Sequence, residues 1–142
     1  MKKSTTLQPA AGIWLLDIDH ETLFADSLYG TIHSNVVILQ GSRRSDRTGF
    51  DFRIEIKDSK LGNGQQDLPP NGLYDYPLDK ELIKVSYNGI KDSQNFVGIP
   101  QTGKITICLD PTKKLYFGHL DIKFLVNQEP LNIKSIFGIH IS

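Results

Sequence analysis

Residues 103–124, which read GKITICLDPTKKLYFGHLDIKF, decide the fold class of this chain. Apolar and polar side chains alternate on both sides of a short polar break at residues 110–114. Such alternation is typical of an extended strand that buries one face, because successive side chains point to opposite sides. Two alternating segments around a short break predict a β-hairpin. The side chains expected on its buried face are Ile105, Ile107, Leu109, Leu120, Ile122 and Phe124.

The same alternation recurs along the chain and predicts several more short strands. Residues 50–57, FDFRIEIK, are the clearest case, because four apolar residues alternate with four charged ones. A shift of one residue would bury the charged side chains, so the register of this strand should be firmly set. We also expect Phe96 and Val97 in the core. Further strands are predicted at residues 12–19, 29–33, 36–40, 72–75, 83–87 and 131–141.

These strands predict an all-β fold with antiparallel pairing. The connections between them are too short for the crossover helices that parallel pairing would need. We therefore expect an antiparallel β-sandwich of about eight to ten strands, with a lipocalin-like β-barrel as the alternative. The choice between the two depends on strand tilt and stagger, which a sequence does not display.

The distribution of glycine, proline and polar residues predicts one domain with two prominent loops. In this interpretation residues 11–142 form a single β domain and residues 1–10 form a flexible N-terminal tail. Residues 41–49 and 58–72 are rich in glycine and polar side chains, which is typical of surface loops. Asn88 and Gly89 favour positive φ, so we expect this dipeptide to form the turn that closes the strand beginning at residue 83.

The composition excludes several classes of function. The 142 residues are 39% hydrophobic and 23% charged, which is typical of a soluble globular domain. Sixteen basic and sixteen acidic residues cancel, so no overall field attracts nucleic acid, and we predict no nucleic-acid partner. The apolar runs are too short for a transmembrane segment. The single cysteine, Cys108, excludes an internal disulfide and alternates with apolar neighbours, as a small hydrophobic residue would.

The chain contains no recognisable catalytic or metal-binding pattern. None of its four histidines lies at a metal-ligand spacing, and His119 and His140 would have to meet across neighbouring strands. Asp17 and Asp19 supply only a fragment of a Ca²⁺-binding loop. A Gly-rich phosphate loop and a G-x-S-x-G nucleophile elbow are both missing. We therefore predict a protein that is not an enzyme, with no catalytic residues, no bound metal and no cofactor.

Two groups of residues are candidates for ligand binding. Arg43, Arg44 and Arg47 are suited to hold a phosphate or sulfate, because arginine presents a planar fork of donors. Tyr74 and Tyr76 are predicted to share one face of a strand beside a loop, where exposed aromatic rings can stack on a sugar. The alternatives are a solvated loop for the arginines and ordinary strand preference for the tyrosines.

Several separated stretches resemble a family of small, uncharacterised secreted lipoprotein domains from Bacteroidota. The segment IDHETLFADS is similar to the family's v-D-G-k-x-f-x-A-d-s opening, with His20 in place of the turn glycine. The resemblance implies a β fold and a location at the cell envelope, and it brings no catalytic residues. Leu73 and Leu120 replace a threonine and a phenylalanine of the pattern, and no lipobox cysteine is present. The matching stretches are residues 18–27, 72–74, 103–107, 116–122 and 135–139.

These observations together predict a non-enzymatic binding or interaction module at the bacterial envelope, with an unknown protein or glycan as its partner. The loops at residues 41–49 and 58–72 are the expected recognition elements. We expect a periplasmic or cell-surface location if a leader has been removed, and a cytoplasmic one otherwise. The two alternative functions are a lipocalin-like carrier of a small apolar ligand and an immunity or inhibitor protein against a toxin.

Overall fold

The computed structural model describes residues 8–33, 36–45, 47–57, 71–78, 82–110 and 112–141. In this part of the chain there are ten β-strands and no helix. The predicted all-β class with antiparallel pairing is therefore confirmed. The strands are β1 (Ala11–Ile18), β2 (Glu21–Phe24), β3 (Ser27–His33), β4 (Val36–Arg43), β5 (Thr48–Lys57), β6 (Gly72–Tyr76), β7 (Ile83–Lys91), β8 (Gln94–Asp110), β9 (Leu115–Val126) and β10 (Glu129–His140).

All ten strands belong to one antiparallel sheet that curls into a half-barrel. The order along the sheet is β2-β1-β10-β9-β8-β7-β5-β4-β3, and β6 pairs with β8 off this path. The hairpin predicted from residues 103–124 is confirmed as part of β8 and β9, with Asp110 opposite Leu115 beside the turn. This hairpin lies near the middle of the sheet, so strands pair with it on both sides.

The strand β8 changes its partner along its length. It pairs with β7 through residues 94–98 and with β6 through residues 103–107. Its register against β9 shifts between Pro100 and Thr102, which lie between the two segments. Proline has no N–H to donate to a sheet, so it is tolerated at such an irregularity. The irregularity therefore marks the point where one strand leaves β7 and becomes the partner of β6.

The residues just before β1 bond to β3 at the far edge of the sheet. The Ala10 N–H donates to the Leu28 carbonyl, and the Gly30 N–H donates to the Gln8 carbonyl, both at 2.9 Å. These bonds bring the two ends of the curled sheet together. Residues 1–7 of the predicted tail lie outside the described residues, and the tail boundary at residue 10 stays a prediction.

The hydrophobic core fills the inside of the curled sheet. Trp14 stacks on Phe137 with ring centroids 4.7 Å apart and lies 5.9 Å from the ring of Phe52. Its Nε1–H donates to Ser135 Oγ at 2.8 Å, so the polar edge of the indole is satisfied inside the core. The four apolar side chains of residues 50–57 are all buried, which confirms the alternation predicted for that strand.

Two glycines that the sequence assigns to a loop and a turn lie inside strands instead. Gly41 is in β4, where an added Cβ would be 2.7 Å from Trp14 Cγ. Gly89 is in β7, where an added Cβ would be 2.3 Å from Phe96 Cζ. Both glycines therefore make room for an aromatic ring. As a result, the predicted turn at residues 88–89 is wrong, and the loop predicted at residues 41–49 is narrower than expected, because β4 continues to Arg43 and β5 begins at Thr48.

Other local predictions have mixed outcomes. Val97 is 65% exposed, so its predicted place in the core is wrong, because β8 turns the neighbouring Phe96 inward instead. Cys108 lies within β8 as expected and is exposed. Most of the loop predicted at residues 58–72 lies outside the described residues, and its last residue, Gly72, begins β6.

A row of alternating charges crosses the outer face of the sheet. Opposite charges directly across from one another stabilise a pair of strands and disfavour a shifted register. Lys104 forms an ion pair with Asp75 in this row. We call the row the charge ladder, and in order across β1, β10, β9, β8 and β6 it consists of Asp17, Lys134, Asp121, Lys104 and Asp75.

Candidate functional site

Four connections lie at the same end of the sheet, because antiparallel strands alternate in direction. One is the connection between β4 and β5, and the other three are tight turns of two residues. We call this end the hairpin end. The turns are Asp19–His20 between β1 and β2, Asp92–Ser93 between β7 and β8, and Asn127–Gln128 between β9 and β10.

The three tight turns share one backbone conformation. Both central residues of each turn are left-handed, with φ between 49° and 68°, as in a type I′ hairpin. Such turns favour glycine, yet none of these positions holds one. Six of the seven described non-glycine residues with positive φ lie here. Asp, Asn and His adopt this region more readily than most residues, so the conformational cost falls mainly on Ser93 and Gln128. Because the turns converge with a loop at one end of a rigid sheet, this end is the first place to look for a functional site.

A small pocket opens at the hairpin end and reaches down to the core. Its volume is about 90 Å³. We call it the hairpin-end pocket. Its polar rim includes Asp19 of the β1–β2 turn, Glu21 at the start of β2 and Lys91 at the end of β7. Its apolar wall consists of Ile18, Leu23, Tyr87, Ile90, Phe96 and Leu131.

A wider depression of about 450 Å³ lies beside the pocket on the surface. The two share Asp19, Lys91, Phe96 and Leu131, so they form one continuous recess. The depression is lined mainly by residues of the β7–β8 and β9–β10 hairpins. A ligand can therefore reach the pocket across this shallow surface.

Tyr87 connects the pocket to the core. The residue is 2% exposed, and its ring centroid lies 6.0 Å from that of Phe96 and 5.6 Å from that of Phe124. Burial, and secondly the negative charge of Asp19, raise the pKa of the Tyr87 phenol to about 12. The phenol therefore stays protonated at neutral pH and cannot act as a base there.

Negative charge predominates around the recess. Five carboxylates and two ammonium groups line the pocket, the depression and a third adjoining hollow. The excess of acid is confined to the residues that line the recess, because the exposed Arg44 and Arg47 lie in the neighbouring β4–β5 connection. The carboxylates belong to Asp17, Asp19, Glu21, Asp92 and Glu129, and the ammonium groups to Lys91 and Lys134.

The structure places the three predicted arginines at the hairpin end, with Arg43 at the end of β4 and Arg44 and Arg47 in the connection to β5. The Arg43 guanidinium donates to the carbonyls of Thr48 at 3.0 Å and Phe24 at 3.3 Å, so it holds strands and a loop together. The side chains of Arg44 and Arg47 are exposed, and the Arg47 carbonyl accepts a bond from the Asp92 N–H at 3.0 Å. Their role in binding a ligand stays a prediction.

The predicted tyrosines lie elsewhere, on β6. Tyr74 is opposite Ile105 of β8 and Tyr76 is opposite Gly103. Both are half-buried and pack against the core, so their rings are less accessible than an exposed sugar platform requires. The structure therefore does not bring the arginines and the tyrosines into one site, and the sugar-binding role of the tyrosines stays a prediction.

The candidate metal ligands are also dispersed. His119 lies opposite Ile136 and His140 lies opposite Leu115, so the two histidines are four positions apart in register. Asp17 belongs to the charge ladder and Asp19 to a turn. Within the described ranges, no group of three or more His, Cys, Asp or Glu residues is placed to hold a metal ion.

A second exposed surface is apolar and lies on the outer face of the sheet. Ile13 on β1 and Phe117 on β9 both lie opposite Gly138 on β10, and Ile136 is two residues away. These three large side chains are between 46% and 49% exposed. We call them the apolar outer patch. It is a rival to the hairpin end as a recognition surface.

Sequence reasoning did not predict the hairpin-end pocket. It places Phe96 in the core and Asp19 in a fragment of a Ca²⁺-binding loop, and it gives no role to Lys91. They meet because four separate hairpins converge, which no local pattern displays. The available signal was that short breaks between strands contain Asp, Asn, His and Ser where hairpins usually have glycine.

Comparisons of the chain with protein-family models, curated proteins and solved structures found no match. The resemblance to secreted lipoprotein domains therefore stays a prediction. In the part of the chain that the structure describes, no helix is long and apolar enough to cross a membrane.

Proposed function

We propose that this chain is a non-enzymatic binding module that recognises a protein partner through its hairpin end. The observation that supports this most strongly is the recess itself, which combines an apolar wall, a charged rim and costly turn conformations on a firmly paired sheet. Binding residues are often carried on connections that a rigid scaffold positions. One case of this function is an immunity or inhibitor protein that binds and blocks a toxin.

The filled interior favours a binding module over a carrier. Pockets for drug-sized ligands have volumes of about 300–1,000 Å³, whereas the pocket that reaches the core has about 90 Å³. The ring of Phe52 contacts the rings of both Trp14 and Phe124, so aromatic side chains fill the interior between β1, β5 and β9. We infer from this packing that the curled sheet forms two layers, as in a sandwich, and does not enclose a ligand.

Defined libraries of peptides and glycans, screened on the immobilised full chain, test the proposed function. We expect members of the peptide library to bind, and Phe96→Ala to abolish that binding because the aromatic wall of the pocket is lost. The matched control is Phe117→Ala, which removes a ring from the apolar outer patch and should leave binding intact. Loss of binding in the control variant alone would contradict the proposal.

Two other outcomes of the same screen test the class of partner and the absence of enzymatic activity. Binding to glycans instead of peptides, lost on Phe96→Ala, would keep the site but replace the partner class. A specific turnover of any ligand that survives changes at the hairpin end would contradict a non-enzymatic module.

A location at the bacterial envelope is part of the proposal and depends on the sequence resemblance. The test is to determine the native gene sequence immediately upstream of the codons for this chain. A leader that ends in a lipobox cysteine would support the location, and a cytoplasmic start without one would contradict it.

A further inference from the structure

The shape of the recess suits one inserted side chain. The hairpin-end pocket is narrow and reaches the core, while the depression beside it is about five times larger and shallow. A compact ligand would leave the depression empty. A chain segment that lies across the depression and inserts one side chain into the pocket would occupy both.

The wall of the pocket suits a long side chain with an apolar stem. Leu23, Ile90 and Leu131 offer aliphatic contact along the wall. The rings of Tyr87 and Phe96 pack against each other and both line the pocket. Lysine and arginine bury an apolar stem while placing a cation at the end, and a cation near an aromatic face is attracted to it.

The charge of the rim indicates the sign of the inserted group. Asp19 and Glu21 are on the rim of the pocket, and Asp92 and Glu129 line the depression. Among the described residues that line these two recesses, Lys91 is the only cation, while the exposed Arg44 and Arg47 lie outside them in the β4–β5 connection. Carboxylates beside the mouth of a pocket attract a cation to it, and because these carboxylates are exposed the attraction weakens as salt is added.

We propose that the hairpin-end pocket takes the cationic end of a lysine or arginine side chain from a basic segment of a partner protein. This inference rests on the proposed function and makes it more specific. Asp19 and Glu21 pair with the cation, the two aromatic rings contact it, and the depression holds the main chain on either side.

Short peptides of known charge test the inference directly. The probes are capped pentapeptides of glycine and serine with one central arginine, lysine, glutamine or glutamate, titrated into the ¹⁵N-labelled full chain at low ionic strength. We expect the arginine and lysine peptides to shift the amide signals of Asp19, Lys91 and Phe96. We expect the glutamine and glutamate peptides to bind at least about tenfold more weakly.

Two variants with opposite expected signs strengthen the test. Asp19→Asn should lower the affinity for the arginine peptide by about 3- to 10-fold, and Lys91→Gln should raise that affinity by about 3-fold. Asparagine tolerates the left-handed backbone of residue 19, so the turn should persist, and an unchanged unfolding midpoint verifies this. The matched controls are Asp75→Asn on β6 and Lys113→Gln in the β8–β9 turn, which should leave affinity unchanged.

The outcomes separate this inference from the proposed function. Equal binding of the glutamine and arginine peptides, or no effect of Asp19→Asn, overturns the inference. If the glutamate peptide, or a glycan from the library, shifts the hairpin-end signals instead, the site stands and the cationic partner does not. If neither the pentapeptides nor the libraries shift hairpin-end signals, both proposals fail.

Discussion

Tyr87 combines a structural role with a position at the candidate site. Its ring packs between Phe52, Phe96 and Phe124, and its phenol lies within electrostatic reach of Asp19. Because the raised pKa keeps the phenol neutral, it can offer a hydrogen bond but adds no charge to a rim that is already acidic. Tyr87 therefore contributes packing to the core and lines the pocket with a neutral group.

The raised pKa of Tyr87 predicts a loss of stability in strong alkali. The folded pKa is about 12 against an ordinary value of 10.0. The unfolded phenol ionises first, so the contribution is fully present below pH 10 and is lost as the pH rises towards 12. The expected loss is of the order of 2–3 kcal/mol. It is measured as the free energy of unfolding by denaturant across this range.

Tyr87→Phe is the control for that measurement, since it removes the titrating group and keeps the ring. Between pH 9 and pH 12, the free energy of unfolding of the variant should fall by about 2–3 kcal/mol less than that of the parent protein. Parallel pH curves for the two proteins would contradict the assignment.

The buried bond between Trp14 and Ser135 predicts a clear mutational cost. Ser135→Ala leaves the indole N–H without its partner inside the core, so we expect a loss of about 1–3 kcal/mol in the free energy of unfolding. Ser86→Ala, on the exposed face of β7, should cost less than about 0.5 kcal/mol. Equal effects of the two substitutions in urea unfolding would show that the bond does not matter.

At the scale of single elements, the tight turns explain why the hairpin end is both well defined and costly. A left-handed residue other than glycine, asparagine or aspartate costs about 1–2 kcal/mol relative to its ordinary conformation. The strands on either side keep each turn in place through their pairing. These side chains are therefore held in fixed positions around the recess.

His20→Gly tests this explanation. Glycine adopts the φ of 65° at residue 20 without steric cost, so we expect the variant to gain about 0.5–1 kcal/mol in stability. Thr22→Gly, two residues later in β2, should instead lose about 0.5–1 kcal/mol, because its backbone is extended. Thermal unfolding compares the two variants, and a destabilised His20→Gly would contradict a left-handed turn at this position.

The charge ladder predicts that one reversed charge weakens several strand pairs at once. Lys134→Glu places a third negative charge between Asp17 and Asp121, so we expect a loss of about 1 kcal/mol at low salt. Salt screens exposed charges, so the loss should shrink at about 1 M ionic strength. The measurement is urea unfolding at both ionic strengths.

Lys123→Glu is the matched control for the ladder. Lys123 is on the same face of β9, but its cross-strand neighbours, Asn132 and Thr102, are uncharged. Lys123→Glu should therefore lower the free energy of unfolding by less than Lys134→Glu does, and this loss should depend less on salt. If both variants lose the same stability with the same salt response, the ladder contributes nothing specific.

Elements with regular alternation were predictable from sequence, and elements that depend on packing were not. The alternation of residues 50–57 and of the hairpin in residues 103–124 follows from burial of one face, so it is visible in the sequence. Gly41 and Gly89 resemble turn residues in isolation. Their place in strands is decided by Trp14 and Phe96, which contact them from other parts of the sheet. Local propensity therefore fails where a distant ring needs room.

At the scale of the whole molecule, the topology creates the candidate site. The order of strands brings the β1–β2, β7–β8 and β9–β10 turns to one end, and curling of the sheet turns them toward a common recess. The all-β class followed from the sequence, whereas this convergence depends on which strands pair. The predicted arginines lie near the recess because β4 and β5 end there, and the predicted tyrosines do not.

The central claim is that the hairpin end is the surface that recognises a partner. Hydrogen–deuterium exchange of the full chain, with and without the tightest binder from the libraries, tests it most directly. We predict slower exchange at residues 19–21, 91–96 and 126–131. Protection confined to residues 72–76 and 112–115, or to the strands that carry the apolar outer patch, would contradict the claim.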